Sequence, residues 1–105
     1  MRCLLSDTFL KSFSKLHGGD PTAMLMAASF FWRNPEEPGR YFTLESIKAA
    51  DPGMQLIRCK QGRDLNDVRA VIVWDGDTCI FCYVGHQESY EWAKHHRIDL
   101  LSSGD

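Results

Sequence analysis

Val68-Arg69-Ala70-Val71-Ile72-Val73-Trp74-Asp75-Gly76-Asp77-Thr78-Cys79-Ile80-Phe81-Cys82-Tyr83-Val84-Gly85-His86-Gln87-Glu88-Ser89-Tyr90-Glu91-Trp92-Ala93 is the stretch on which the fold turns. Two apolar, β-branched runs flank Asp75-Gly76, the dipeptide favoured in two-residue type I′ turns, and so predict a β-hairpin over residues 68–85. Strand spacing stops at Gly85. From His86 the apolar spacing becomes helical, with Tyr90, Ala93 and Arg97 on one side. Arg69 thus opens one strand, while His86 and Tyr90 sit where its partner strand becomes a helix. A guanidinium, an imidazole and a phenol are expected to converge at that corner.

Upstream of the hairpin, residues 54–60 alternate, with Leu56, Arg58 and Lys60 on one face and Ile57 and Cys59 on the other. This predicts a strand with one largely basic face. Asp51-Pro52-Gly53 is a turn, and residues 61–67 form a polar loop carrying Arg63. Residues 41–50 stay open between extended and helical structure. Nearer the N-terminus, Ser6 or Asp7 can cap a helix with Phe9, Phe13 and Leu16 along its apolar stripe. His17-Gly18-Gly19 ends it, and Asp20-Pro21 starts a second helix that presents Met24, Ala27, Ala28 and Phe31 before Asn34-Pro35 stops it. Two helices joined by a glycine turn predict a helical hairpin, and Cys3-Leu4-Leu5-Ser6 a short first strand. The order β-α-α-β-β-β-α predicts an α+β fold: an antiparallel β-sheet packed by an N-terminal helical hairpin and a C-terminal helix.

The totals are consistent with one domain over residues 1–101, with residues 102–105 a tail or the start of a linker. The chain has 105 residues, 44% of them apolar and 25% charged, as in ordinary globular proteins. No apolar run is long enough to span a membrane and no signal-peptide stretch is evident, so a cytoplasmic location is expected. The formal net charge of −2 argues against broad electrostatic capture of nucleic acid but leaves room for a local basic patch. Cys79-x-x-Cys82 has the spacing of a metal-ligand pair, yet residues three apart on a strand point to opposite faces. Cys3, Cys59, Cys79 and Cys82 therefore read as reduced thiols. No metal site and no cofactor are expected.

Four pieces of the chain resemble the RelE/ParE superfamily of bacterial toxins, and especially the RelE-like domains at the N-terminus of some UvrD/Rep-type helicases. Residues 9–16 look like the family's opening helix, and Phe31-Trp32-Arg33-Asn34-Pro35 resembles its aromatic Asn-Pro helix ending. Val68-Arg69-Ala70-Val71-Ile72-Val73 looks like its central strand. Tyr83-Val84-Gly85-His86-Gln87-Glu88-Ser89-Tyr90-Glu91-Trp92-Ala93 looks like its strand-to-helix junction, and this last motif is the most specific. The resemblance implies a ribosome-dependent mRNA endoribonuclease, an mRNA interferase held silent by an antitoxin. Catalysis would then fall to Arg69, His86 and Tyr90. Gln87 departs from the pattern, standing where many active relatives carry a second basic residue. A different class of reading is a non-catalytic module that binds a helicase domain. A ParE-like gyrase inhibitor is a third.

RNA cleavage by the internal 2′-hydroxyl needs a base, an acid and positive charge on the phosphorane. Arg69 could supply the charge through paired hydrogen bonds to phosphate oxygens. His86 could act as acid or base near neutrality. Tyr90 could share that role if nearby cations lowered its pKa. Arg58, Lys60 and Arg63 would hold flanking phosphates. Each residue also has a structural alternative: Arg69 pairing with Glu88 or Glu91, His86 bonding backbone, and Tyr90 packing.

Overall fold

The computed structural model describes residues 1–36, 42–47, 53–59 and 67–95. The chain runs β1 (Arg2–Leu5), α1 (Asp7–Phe13), α2 (Asp20–Arg33), β2 (Phe42–Ser46), β3 (Met54–Cys59), β4 (Arg69–Asp75), β5 (Thr78–Gly85) and α3 (Glu88–His95). The strands form one sheet in the order β1-β5-β4-β3-β2. The α+β class is as expected. Two features refine it: residues 42–46 supply a fifth strand, and β1 pairs with β5 in parallel while the other pairings are antiparallel.

The hairpin forms where its sequence places it, shifted by one residue at the turn. Asp75 pairs with Thr78, so the two loop residues are Gly76 and Asp77, and Gly76 takes the positive φ of 60° that a tight hairpin turn requires. Further along, Val71 faces Tyr83 but Ile72 faces Phe81, which leaves Cys82 as the extra residue of a bulge. Ser6 secures it. Its hydroxyl donates to the Cys82 carbonyl at 3.1 Å while accepting the N–H of Phe9 at 3.0 Å as the N-cap of α1. Beyond the end of β1, the Ser12 hydroxyl takes over as acceptor for the Val84 N–H at 3.0 Å, and Ser89 donates to the Arg69 carbonyl at 2.8 Å. Each of these serines satisfies a backbone group that the ladder leaves open.

Two helices cover one face of the sheet. Met24, Ala27 and Phe31 of α2 and Phe9 of α1 pack on Phe42, Ile57, Ala70, Ile72, Cys79, Phe81 and Val84. Phe31 lies within 6.2 Å of the rings of Phe42, Trp74 and Phe81, mostly edge-on, so aromatic contacts dominate this core. α1 ends at Phe13, earlier than its apolar stripe suggests, and Leu16 follows in a turn. The opposite face buries Leu56, Val71, Val73 and Cys82 beneath Ala93 of α3, with Trp92 stacked on Tyr83 at 5.3 Å. Cys79 and Cys82 thus lie on opposite faces, as strand geometry demands. Eight residues of helix reach only about 12 Å, while five strands span roughly 20 Å. α3 packs on β4 and β5 and leaves the part of its face around Arg58 of β3 and the start of β4 open. No described helix is long and apolar enough to cross a membrane.

Candidate functional site

The open end of that face is a concavity of about 860 Å³. Arg58 and Arg69 form its sheet side; Gln87, Glu88, Tyr90, Glu91 and Lys94 line it from α3 and the residue before it. Strand alternation puts Arg58 and Arg69 there. Leu56 of β3, and Val71 and Val73 of β4, belong to the α3-side core, so Arg58 and Arg69 share that face. They are also direct cross-strand partners. Two like charges so placed repel unless something lies between them.

Asp67 lies between them. One of its carboxylate oxygens accepts from Arg58 Nε at 2.9 Å, and its backbone carbonyl accepts from Arg69 Nη1 at 2.8 Å. Arg58 Nη1 then reaches Glu45 Oε1 of β2 at 3.4 Å, and Glu45 Oε2 accepts the Tyr90 hydroxyl. The Tyr90 ring closes the circuit, with the Arg69 guanidinium carbon 5.5 Å from its centroid. Five residues from three strands, the approach to β4 and α3 therefore form one ring with two positive and two negative charges. The hydrogen bond to Asp67 raises the Arg58 pKa above its ordinary value, against the lowering effect of burial. Burial, followed by the bond to Glu45, pushes the Tyr90 phenol above its ordinary value, and the neighbouring Arg69 only partly opposes this. That is the reverse of the lowering expected from nearby cations. Tyr90 is consequently a neutral proton donor near pH 7.

His86 is not part of this ring. Gly85 faces Arg69 on the α3 side, so the next residue turns to the other face, where His86 Nε2 meets Asp20 Oδ2 at the start of α2 at 2.8 Å. The helix starts at Glu88, two residues later than the spacing from His86 suggests, so His86 and Tyr90 do not stack one turn apart. Asp20, the first residue of α2, spends its carboxylate on this contact, and Gly19 holds the cap position without a side-chain bond.

The basic face expected for residues 54–60 is corrected by its surroundings. Leu56 is fully buried and Arg58 is matched by two carboxylates, while Lys60 and Arg63 lie outside the described residues. Arg69 is itself buried, and it engages the Asp67 carbonyl and the Tyr90 ring rather than an ion pair with Glu88 or Glu91. Glu88 folds over Gly85, where a Cβ would stand 2.6 Å from its carboxylate oxygen. Glu45, Asp67 and Lys94 are site residues that sequence reasoning missed. Alternation within residues 42–46 puts Glu45 opposite the buried Phe42 and the half-buried Leu44, but only the β2–β3 register brings it to Arg58.

Comparison with solved structures gives the same architecture. The chain is similar to a chain of the crystal structure of the RelB–RelE antitoxin–toxin complex from Methanococcus jannaschii, with a TM-score of 0.61 and 23% identity over 85% of this chain and 96% of that one. It is equally similar to a copper-bound mutant toxin from Helicobacter pylori, at a TM-score of 0.61 and 21% identity over 84% of this chain and 96% of that one. No protein-family model and no curated protein matches the sequence. The sheet order, the helical pair on one face and the short helix on the other are therefore those of the RelE-like toxin fold.

Proposed function

We propose that this chain is a toxin-type domain that cleaves mRNA on the ribosome by 2′-hydroxyl transesterification, and that an antitoxin protein holds it silent. The observation that carries this is the ring of two carboxylates, a neutral phenol and two guanidiniums, whose guanidiniums and phenol line one open concavity. In this reading Glu45 takes the proton from the 2′-hydroxyl, whose oxygen attacks the adjacent phosphorus. Tyr90 donates its proton to the departing 5′-oxygen as that P–O bond breaks. Arg58 and Arg69 stabilise the charge that gathers on the phosphorane. The raised Tyr90 pKa suits an acid rather than a base. His86, bonded to Asp20, serves to position the junction. Lys60 and Arg63 remain candidates for holding flanking phosphates.

The antitoxin is supported by the complex in which the Methanococcus structure was determined and by apolar surface on α2. Leu25 and Trp32, seven residues apart on one helix face, are 60% and 62% exposed, with Met26 beside them. Expression of the chain alone in a bacterial host tests the reading. Growth arrest with primer-extension stops inside translated messages is the expected result. Normal growth with soluble protein and intact messages would overturn it.

One observation favours a second reading, a non-catalytic module that binds a partner such as a UvrD/Rep-type helicase. The ring is already charge-balanced, with Arg58 held by two carboxylates and Arg69 by a backbone carbonyl before any ligand enters. In that case the chain leaves growth unaffected and retains a protein partner through pulldown even when Tyr90 is changed to Phe.

A further inference from the structure

Glu45 receives Arg58 Nη1 on one carboxylate oxygen and the Tyr90 hydroxyl on the other. A guanidinium N–H and a phenol O–H directed at two oxygens of one anionic group are also what a phosphodiester can accept through its non-bridging oxygens. We propose that Glu45 occupies, in the free protein, the place of the ligand's anionic group, and that a phosphodiester of single-stranded RNA entering the concavity takes Arg58 and Tyr90 from it, moving its carboxylate aside to the neighbouring 2′-hydroxyl. The identity of the ligand rests on the RNA reading above, whereas the displacement itself requires only an anion.

Two carboxylates hold Arg58, and the geometry decides which one yields. Asp67 is 2.9 Å from Nε with its side chain 8% exposed; Glu45 is 3.4 Å from Nη1 and 27% exposed. Asp67 also fixes Arg69 through its own carbonyl, so moving it would disturb both guanidiniums. Glu45 stands on β2, an edge strand whose one neighbour among the described residues is β3. Asp67 is therefore the fixed partner and Glu45 the exchangeable one.

The exchange is coupled to anion entry by charge. With Glu45 withdrawn and nothing in its place, Arg58 and Arg69 would face each other across the β3–β4 pair with only Asp67 between them. Arg69 Nε and Asp67 Oδ1 are, moreover, both buried without a hydrogen-bond partner among the described residues, so the internal ring leaves one donor of Arg69 unused. An incoming anion restores the balance and brings acceptors with it. The cost is that the ligand must compete with Glu45, which lowers its apparent affinity by the fraction of molecules in which the site is closed.

The test uses two probes on the same proteins. Inorganic pyrophosphate reads anion entry alone, and a 2′-O-methyl RNA hexamer, which cannot be cleaved through its 2′-position, reads the proposed ligand. Glu45→Gln removes the competing charge while keeping the side chain's length, and its affinity for pyrophosphate is expected to rise about tenfold, as when one charge-assisted hydrogen bond ceases to compete. Glu45→Asp, too short to span Arg58 and Tyr90, should gain part of that, and supplies the comparison if the glutamine variant folds poorly. Adding Arg58→Ala to Glu45→Gln should abolish the gain. Unchanged pyrophosphate affinity in folded Glu45→Gln or Glu45→Asp would overturn the proposal, whatever the RNA does. Tighter pyrophosphate binding with no change for the hexamer would uphold the displacement of Glu45 and count against RNA as the ligand.

Discussion

Their surroundings distinguish Tyr90 from His86 as candidates for proton transfer, and single substitutions separate them. Tyr90→Phe keeps the ring that covers Arg69 and deletes only the hydroxyl that Glu45 accepts. If Tyr90 is the acid, mRNA cleavage should fall by about two orders of magnitude or more, the usual contribution of a positioned acid or base, with the thermal midpoint within a few degrees of wild type. His86→Ala loses a contact to Asp20 in which both side chains are about a third exposed, a pair expected to contribute well under 1 kcal/mol. Its cleavage rate should stay within about threefold of wild type, a change of less than 1 kcal/mol in the barrier. Primer extension and a thermal melt on the two variants check both statements, and the opposite ranking would return His86 to the chemistry. Arg69→Ala is a poorer probe, because it removes a buried side chain that ties Asp67 to α3. Nothing local in the sequence marks Glu45 or Asp67 as site residues. Their roles depend on which residue of β2 faces which of β3, and on a loop residue turning inward, both tertiary facts.

At the scale of elements, β5 shows what was legible and what was not. Its β-branched runs and the Asp-Gly dipeptide announce the hairpin, because turn chemistry and side-chain alternation act over a few residues. The Cys82 bulge and the parallel partner β1 do not announce themselves. The first needs Ser6 to hold it and the second needs a four-residue strand to cross from another part of the chain. The same burial of β5 between two layers governs its thiols. Burial pushes Cys79 and Cys82 on β5, and Cys59 on β3, from 9.0 up to about 12. The folded state holds these protons while the unfolded chain releases them near pH 9. Stability is therefore intact below pH 9 and declines as pH rises towards 12, by about 1 kcal/mol per thiol at pH 10. The raised phenols of Tyr83 and Tyr90 act in the same direction at higher pH. Urea midpoints measured at pH 8 and pH 10 should show the loss. A thiol reagent at pH 8 should label Cys3, which is partly exposed, well before the other three. Equal labelling of all four, or a midpoint indifferent to this pH change, would contradict the burial argument.

For the molecule as a whole, charge decides how it could meet RNA. The net charge is −2, and the concavity sets Arg58, Arg69 and Lys94 against Glu88 and Glu91, with Glu45 and Asp67 already engaged. A surface of this kind gains little from counterion release. Three cations contacting a single strand give a slope of log affinity against log salt of about −2, and recruiting Lys60 and Arg63 as well would steepen it to about −3.5. Anisotropy of the 2′-O-methyl hexamer across a salt range bracketing physiological ionic strength, roughly 50 to 200 mM, separates the two. The shallow slope is the expected result. It would mean that free RNA is held weakly, so that a cleaving domain of this composition depends on the ribosome to present the message. The steep slope would place the basic residues of 60–66 on the RNA and make capture of free transcripts feasible. Under the mRNA-cleaving reading proposed above, the charge balance of the concavity predicts ribosome dependence, and the salt titration tests that prediction without relying on cleavage.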